Sequence, residues 1–158
     1  MIELRTPAEI ERLRIAGEFV GSVLTATAAA AAVGVNLLEL DALAHDMIRA
    51  RGAESCYIDY HPSFGGSPFG KVICTSVNDA ALHGLPHDYR LRDGDVLSLD
   101  FAASVDGWVS DSAVTIIVGT PRPEDQRLIE VTSRALDAGI AAATVGNRIG
   151  DISAAIGD

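Results

Sequence analysis

The chain has 158 residues, the usual length of one domain, and 48% of them are hydrophobic, which is ample for a buried core. Its formal net charge of −10 argues against direct binding of nucleic acid, because such binding depends on Lys and Arg neutralising phosphates. No apolar run approaches the roughly 18 residues of a membrane helix, and Cys56 and Cys74 form no disulfide framework, so a cytoplasmic location is predicted.

A long helix is predicted at the start of the chain. Thr6 and Glu9 form a capping box with a proline between them, and the apolar positions that follow recur at helical spacing. The alanine run continues this helix through Ala32, and Gly34 is the expected C-cap. This charged, amphipathic start does not resemble a signal peptide.

A second helix and an aromatic loop follow. Asn36 and Glu39 form another capping box, and basic residues precede Gly52, which ends the helix. The stretch Tyr57–Phe69 is rich in aromatic residues, Gly and Pro, and therefore predicts a long loop. Long loops in compact domains are often functional, and these aromatic rings suit an apolar substrate pocket.

Extended segments are predicted in the middle of the chain. Val72–Val77 is the first predicted strand, and Ala80–His83 is a further extended apolar segment, ended by Gly84. Arg92–Asp95 is a polar turn that leads into the next strand.

The strongest local signal is a β-hairpin around Asp106-Gly107, since both turn positions favour positive φ. Counting outward from this turn places Ala102 opposite Asp111. Asp100 then lies on the same face as Ala102 and Asp111, so the two carboxylates form a diagonal cross-strand pair.

Two interpretations of this carboxylate pair are open. The pair could share one or two divalent ions, since such diagonals are about 7–8 Å apart at the backbone and the ions of dinuclear sites lie about 3.5–4 Å apart. No Lys or Arg occurs between Arg92 and Arg122 to neutralise the carboxylates. Alternatively, both side chains face solvent, as isolated Asp residues in strands usually do.

Helices are predicted again after Pro121, and their order repeats that of the N-terminal helices. Gly146 follows the third predicted helix as Gly34 follows the first, at an offset of 112 residues. An ancient duplication would produce this pattern, and two similar helical hairpins by chance are the alternative. We therefore expect one α+β domain over residues 1–158, with residues 1–120 as a first repeat and 121–158 as the start of a second.

The segment ICTSVNDAALHGLP, from Ile73 to Pro86, and the spacing of Asp100 and Asp111 resemble the type I methionine aminopeptidases. The resemblance extends over essentially the whole chain. It implies a pita-bread fold, in which two pseudo-symmetric halves surround a dinuclear metal centre.

The resemblance also implies roles for individual residues. Asp100 would bind one metal ion and Asp111 would bridge both, the ions being Co, Mn, Fe, Ni or Zn. His83 would be catalytic, contacting the substrate and stabilising its reacting carbonyl. Tyr60, His61 and Cys74 would contribute to the pocket for the methionine side chain. Tyr57 replaces a small residue that is often found in that pocket.

The family completes its metal site with one His and two Glu from the second half. This chain has no histidine after His87, and its acidic residues after Asp111 lie on predicted helices or at the terminus. The resemblance therefore implies the N-terminal portion of the enzyme.

The implied function is metal-dependent removal of methionine from nascent proteins, near the ribosome and without membrane attachment, by a full-length form that is monomeric. The alternatives are a proline-directed peptidase of the same fold and a non-catalytic relative that binds peptides or a protein partner.

Overall fold

The computed structural model describes residues 3–61 and 66–157. The chain forms two compact units, Met1–Thr120 and Pro121–Asp158. Residues 62–65 of the predicted aromatic loop lie outside the described residues.

Helix α1 spans Pro7–Ala30 and begins with the predicted capping box. Its end was predicted wrongly, because the helix stops at Ala30 rather than continuing through Ala32 to a cap at Gly34. The Gly34 N–H instead donates to the carbonyl oxygen of Leu91 at 2.8 Å, so this segment bonds to another part of the chain and not to the helix.

Helix α2 spans Leu37–Arg51 and confirms the predicted boundaries. The Asn36 side chain accepts from the Leu38 N–H at 3.0 Å, and Glu39 accepts from the Asn36 N–H at 3.1 Å. Gly52 ends the helix with φ of +67°, a left-handed conformation that glycine adopts without a steric penalty.

One antiparallel sheet follows, made of β1 (Glu54–Ser55), β2 (Cys74–Val77), β3 (Val96–Val105) and β4 (Trp108–Ile117). Strand β3 is central and pairs with each of the other three strands. Strand β4 takes one edge of β3, so β1 and β2 share the other edge. The short strand β1 was not predicted.

The helices cover one face of this sheet. Alternate residues of β3 are fully or nearly buried on that face, as the period of two along a strand requires. They are Leu97, Leu99, Phe101, Ala103 and Val105. The ring of Phe19 in α1 packs edge-to-face on Phe101, with 6.3 Å between ring centroids. Burial of each large side chain contributes about 1.5–3 kcal/mol, so this core fixes which face of β3 points away from the helices.

Two predictions about the extended segments were wrong. The first strand begins at Cys74 rather than Val72, because the Val72 N–H donates to the Asp41 carboxylate at 2.9 Å instead of to a strand. The segment Ala80–His83 forms no strand, since the Ala80 N–H closes a turn onto Val77 and His83 itself has φ of +55°.

The second unit consists of α3 (Pro123–Ala142) and α4 (Ile149–Gly157), both as predicted. The two helices pack together at Gly139, where an added Cβ would lie 2.8 Å from the Ile156 side chain. Within the described residues, no helix is long and apolar enough to cross a membrane.

Candidate functional site

The β3–β4 hairpin carries the two aspartates on the face of the sheet opposite to the one that α1 and α2 cover. Asp106 and Gly107 form the turn with φ of +51° and +81°, and the observed register pairs Ala102 with Asp111 and Asp100 with Ala113. The predicted hairpin, its register and the shared face of the two carboxylates are therefore confirmed.

A tyrosine from the preceding loop connects the two carboxylates. The Tyr57 hydroxyl donates to Oδ1 of Asp100 at 2.7 Å, and its oxygen lies 3.5 Å from Oδ1 of Asp111. Both aspartate side chains therefore converge on one point, which the phenol oxygen occupies. This contact was not predicted from the sequence.

The site holds uncompensated negative charge. Burial raises the pKa of the Asp111 carboxyl, and the neighbouring charge of Asp100 raises it further, while His83 acts in the opposite direction. Burial, followed by Asp100 and Asp111, raises the pKa of the Cys74 thiol to about 12. A cation bound between the carboxylates would relieve this repulsion.

The two aspartates form part of the wall of a cavity of about 590 Å³. Its described lining is Cys56, Tyr57, Tyr60, Ser67, Pro68, Phe69, Cys74, His83, Leu85, Asp100 and Asp111, without a Lys or Arg. Five of the six predicted site residues are among these. The sixth, His61, is exposed and is not one of the described lining residues.

A close approach of backbone to backbone places His83 at this cavity. The Gly84 N–H donates to Oγ of Ser76 at 3.0 Å, and the Gly84 carbonyl accepts from the Thr75 N–H at 2.7 Å. A Cβ on Gly84 would lie only 2.3 Å from the Thr75 carbonyl oxygen. Glycine is therefore required here, and it holds His83 and Leu85 beside β2.

Cys74 lies under the aspartates. Its Cα is paired with that of Asp100 across β2 and β3, and its side chain is 4% exposed. The thiol therefore lies on the same face of the sheet as Asp100 and forms part of the cavity lining. Both cysteines are free, Cys56 being partly exposed.

The two carboxylates fit a divalent metal as a partial ligand set. Carboxylate oxygens suit Mn²⁺ and similar hard cations better than thiolate-seeking ions, and their convergence on one point is the geometry that a shared ion needs. Within the part of the chain that the structure describes, no group of three or more His, Cys, Asp or Glu could hold a metal ion.

A family model and the sequences of known proteins point to the same protein family. The model of metallopeptidase family M24 matches residues 11–158. The chain is 39% identical to the methionine aminopeptidase of Aquifex aeolicus over 98% of its own length and 60% of that protein's length. It is 40% identical to methionine aminopeptidase 1 of Mycobacterium tuberculosis over 99% of its length and 57% of the relative.

A solved structure has the same architecture. The methionine aminopeptidase of Rickettsia prowazekii superposes with a TM-score of 0.92 at 31% identity, over 99% of this chain and 60% of that one. The chain thus spans about 60% of the length of the relatives that it matches.

Proposed function

The chain belongs to metallopeptidase family M24, with the pita-bread fold, and from this membership we propose that it acts as a methionine aminopeptidase. The reaction is hydrolysis of the peptide bond that follows an N-terminal methionine. The observation that carries the proposal is the convergence of Asp100 and Asp111 at the wall of a cavity that also contains His83.

Asp100 and Asp111 would hold the metal ions. Divalent ions held there would lower the pKa of a bound water and polarise the substrate carbonyl. Both carboxylates would supply oxygen ligands, so Asp100 and Asp111 would together hold the ions. Their mutual repulsion makes the site favourable for cations before any further ligand is added.

His83 would act as the hydrogen-bond donor to the substrate. It lies at the same cavity as the two carboxylates, and its backbone position is fixed by the contact of Gly84 with β2. An imidazole N–H at that position would stabilise the negative charge that develops on the carbonyl oxygen.

The apolar part of the cavity would receive the methionine side chain. Tyr60, Phe69, Leu85 and Cys74 are among the residues that line the cavity. Methionine is unbranched and makes favourable contacts between its sulfur and aromatic rings, so these residues suit its thioether. His61 would also contribute to this pocket.

The proposed biological setting is the cytoplasm, where the protein would process nascent chains near the ribosome and the full-length form would be monomeric. The two free cysteines fit a reducing compartment. The proposed ions are Co, Mn, Fe, Ni or Zn.

Metal binding tests the proposal directly. We expect titration calorimetry with Mn²⁺ to give saturable binding to the wild-type chain, and we expect Asp111→Asn to abolish it. Asp106→Asn is the matched control, since it removes an exposed carboxylate from the turn of the same hairpin. Equal binding by wild type and Asp111→Asn would contradict the proposed site.

Methionine release from a Met-Ala-Ser peptide, with Asp100→Asn beside the wild type, then tests the activity. Release that vanishes in Asp100→Asn supports an aminopeptidase. Peptide binding without metal binding would instead support a non-catalytic relative. Cleavage restricted to peptides with Pro at the second position would support a proline-directed peptidase.

A further inference from the structure

The Tyr57 hydroxyl occupies the place where the two site carboxylates converge. It donates to Oδ1 of Asp100 at 2.7 Å and lies 3.5 Å from Oδ1 of Asp111. A tyrosine hydroxyl has one proton to donate, and here that proton is directed at Asp100. The phenol oxygen is thus within reach of both carboxylates at once.

Local contacts hold the Tyr57 ring in this position. The Tyr57 N–H donates to Oγ of Ser55, the last residue of β1, at 3.1 Å. The ring packs edge-to-face on Phe69, with 5.9 Å between ring centroids. The Tyr57 carbonyl accepts from the Tyr60 N–H at 2.9 Å. The hydrogen bonds fix the backbone of Tyr57, the contact with Phe69 directs its ring, and the hydroxyl is the part that meets the carboxylates.

A cation shared by the two aspartates would bind the same carboxylate oxygens that the phenol contacts. Zinc–carboxylate distances, for example, are about 2.0–2.2 Å, shorter than the 2.7 Å hydrogen bond from Tyr57 to Asp100. An ion that touches Oδ1 of both aspartates would therefore contact two atoms that each lie within 3.5 Å of the phenol oxygen. The hydroxyl proton and the cation would also compete for the lone pairs of the same oxygen atom.

We propose that Tyr57 is a displaceable competitor for the cation site. In the absence of metal its hydroxyl caps Asp100 and Asp111, and cation binding requires the phenol to withdraw towards the cavity. Tyr57 thereby weakens cation binding at this site. This inference rests on the proposed function, because it assumes that Asp100 and Asp111 bind the metal.

The first test compares cation affinities of hydroxyl-deletion variants. Tyr57→Phe keeps the ring on Phe69 and removes only the hydroxyl. A hydrogen bond to a charged group is worth enough to change a binding constant by roughly tenfold or more, so we expect Mn²⁺ to bind Tyr57→Phe at least roughly tenfold more tightly than wild type. Tyr60→Phe removes a hydroxyl from the same cavity and should leave the affinity unchanged.

A second variant and a second readout guard against an effect of misfolding. Tyr57→Leu also lacks the hydroxyl and should bind Mn²⁺ more tightly, provided that its far-ultraviolet circular dichroism matches wild type. In the wild type, Mn²⁺ should also change the near-ultraviolet tyrosine absorption band, because the phenol loses its carboxylate partner. Tyr57→Phe should lack this change, and Tyr60→Phe should retain it.

The outcomes separate this inference from the proposed function. Unchanged affinity in Tyr57→Phe would overturn the competitor role while leaving the metal site intact. Weaker binding would overturn it in favour of Tyr57 as a ligand. No saturable binding by wild type or Tyr57→Phe would overturn the proposed metal site itself, and the inference with it.

Discussion

Asp95 is a buried carboxylate that joins the turn before β3 to three neighbours. It accepts from the Asn78 side chain at 2.9 Å, from the Tyr89 hydroxyl at 2.9 Å and from the Arg92 N–H at 2.8 Å. Burial raises the pKa of Asp95, but these hydrogen bonds lower it by more, so the pKa lies below the ordinary value. The ionised form of Asp95 therefore stabilises the fold.

This network predicts a pH-dependent cost for Asp95→Asn. A lowered folded-state pKa stabilises the protein above the unfolded pKa, about 4, and this contribution is lost as pH falls through the folded pKa. We expect the variant to lose about 1–3 kcal/mol of unfolding free energy at neutral pH, and less at about pH 3.

Urea unfolding at the two pH values measures the effect. Asp106→Asn is the control and should change the unfolding free energy little at either pH, since Asp106 is exposed in the hairpin turn. An equal loss of unfolding free energy in Asp95→Asn at both pH values would show that ionisation of Asp95 does not stabilise the fold.

At the level of single residues, local geometry decided which predictions were successful. Asp100 and Asp111 lie on the same face because the position of the turn and the two-residue alternation of side chains along a strand together fix it. The sequence alone specifies both. The Tyr57 contact depends on how a loop that precedes β3 by many residues returns to the sheet, and no periodic pattern encodes that path. The departure at Tyr57 from the small residue of the resembling family was the available signal.

Among the elements, the loop between β2 and β3 approaches its neighbour most closely at Gly84, where an added Cβ would lie 2.3 Å from the Thr75 carbonyl oxygen. Gly84 lies against Thr75 and Ser76 so closely that any side chain would collide with main-chain atoms. This contact replaces the extended Ala80–His83 segment predicted from its apolar residues. Leu82 is 64% exposed, so apolar character alone misled the prediction, since the segment is fixed by hydrogen bonds to β2 and not by burial.

Gly84→Ala should destabilise the protein, because the Thr75 carbonyl is main chain and cannot move without shifting β2. We expect a loss of about 1–3 kcal/mol in unfolding free energy, the usual cost of overpacking. Gly21→Ala is the control. Its added Cβ meets nothing within 4 Å, and alanine favours the helix by up to about 1 kcal/mol.

Thermal and urea unfolding of the two variants provide the measurement. Similar stabilities for Gly84→Ala and wild type would mean that the loop does not need this close approach.

The α+β pita-bread architecture, which the family resemblance implied, is confirmed. Helices α2, α3 and α4 and the hairpin are confirmed as well, because capping boxes, apolar periodicity and turn residues act locally. Strand β1 was not predicted, because two residues are too few to show the alternation of apolar and polar side chains that indicates a strand. The end of α1 and the start of β2 were predicted wrongly. The N–H groups of Gly34 and Val72, which the prediction assigned to these elements, bond to partners far away in the sequence.

For the molecule as a whole, the second unit exposes an unusual amount of apolar side chain. Leu128, Leu136 and Ile140 of α3 are 64%, 60% and 62% exposed, and Ile149 of α4 is 79% exposed. Contiguous apolar patches beyond a few hundred Å² usually contact a partner or cause aggregation.

We therefore expect the 158-residue chain to self-associate. Sedimentation velocity should detect species larger than the monomer, and combining Leu136→Gln with Ile140→Gln should reduce them. Arg134→Gln on the same helix is the control and should leave the distribution unchanged. A monomeric chain with a sharp, reversible thermal transition would contradict this expectation.

The duplication stays a prediction, with two further observations in its favour. Gly34 and Gly146 have φ of +91° and +98°. Glu39 accepts from the Asn36 N–H, and Asp151 accepts likewise from the Arg148 N–H.

The short turn between β3 and β4 also bears on the order in which the site assembles. Strands joined by so short a turn lose little loop-closure entropy on pairing, and such hairpins close in about 1–10 μs. Tyr57 and His83 reach the same cavity only after pairings between more distant segments, which form more slowly. We therefore expect the two carboxylates to be the first part of the site to meet during folding, before the groups that surround them join.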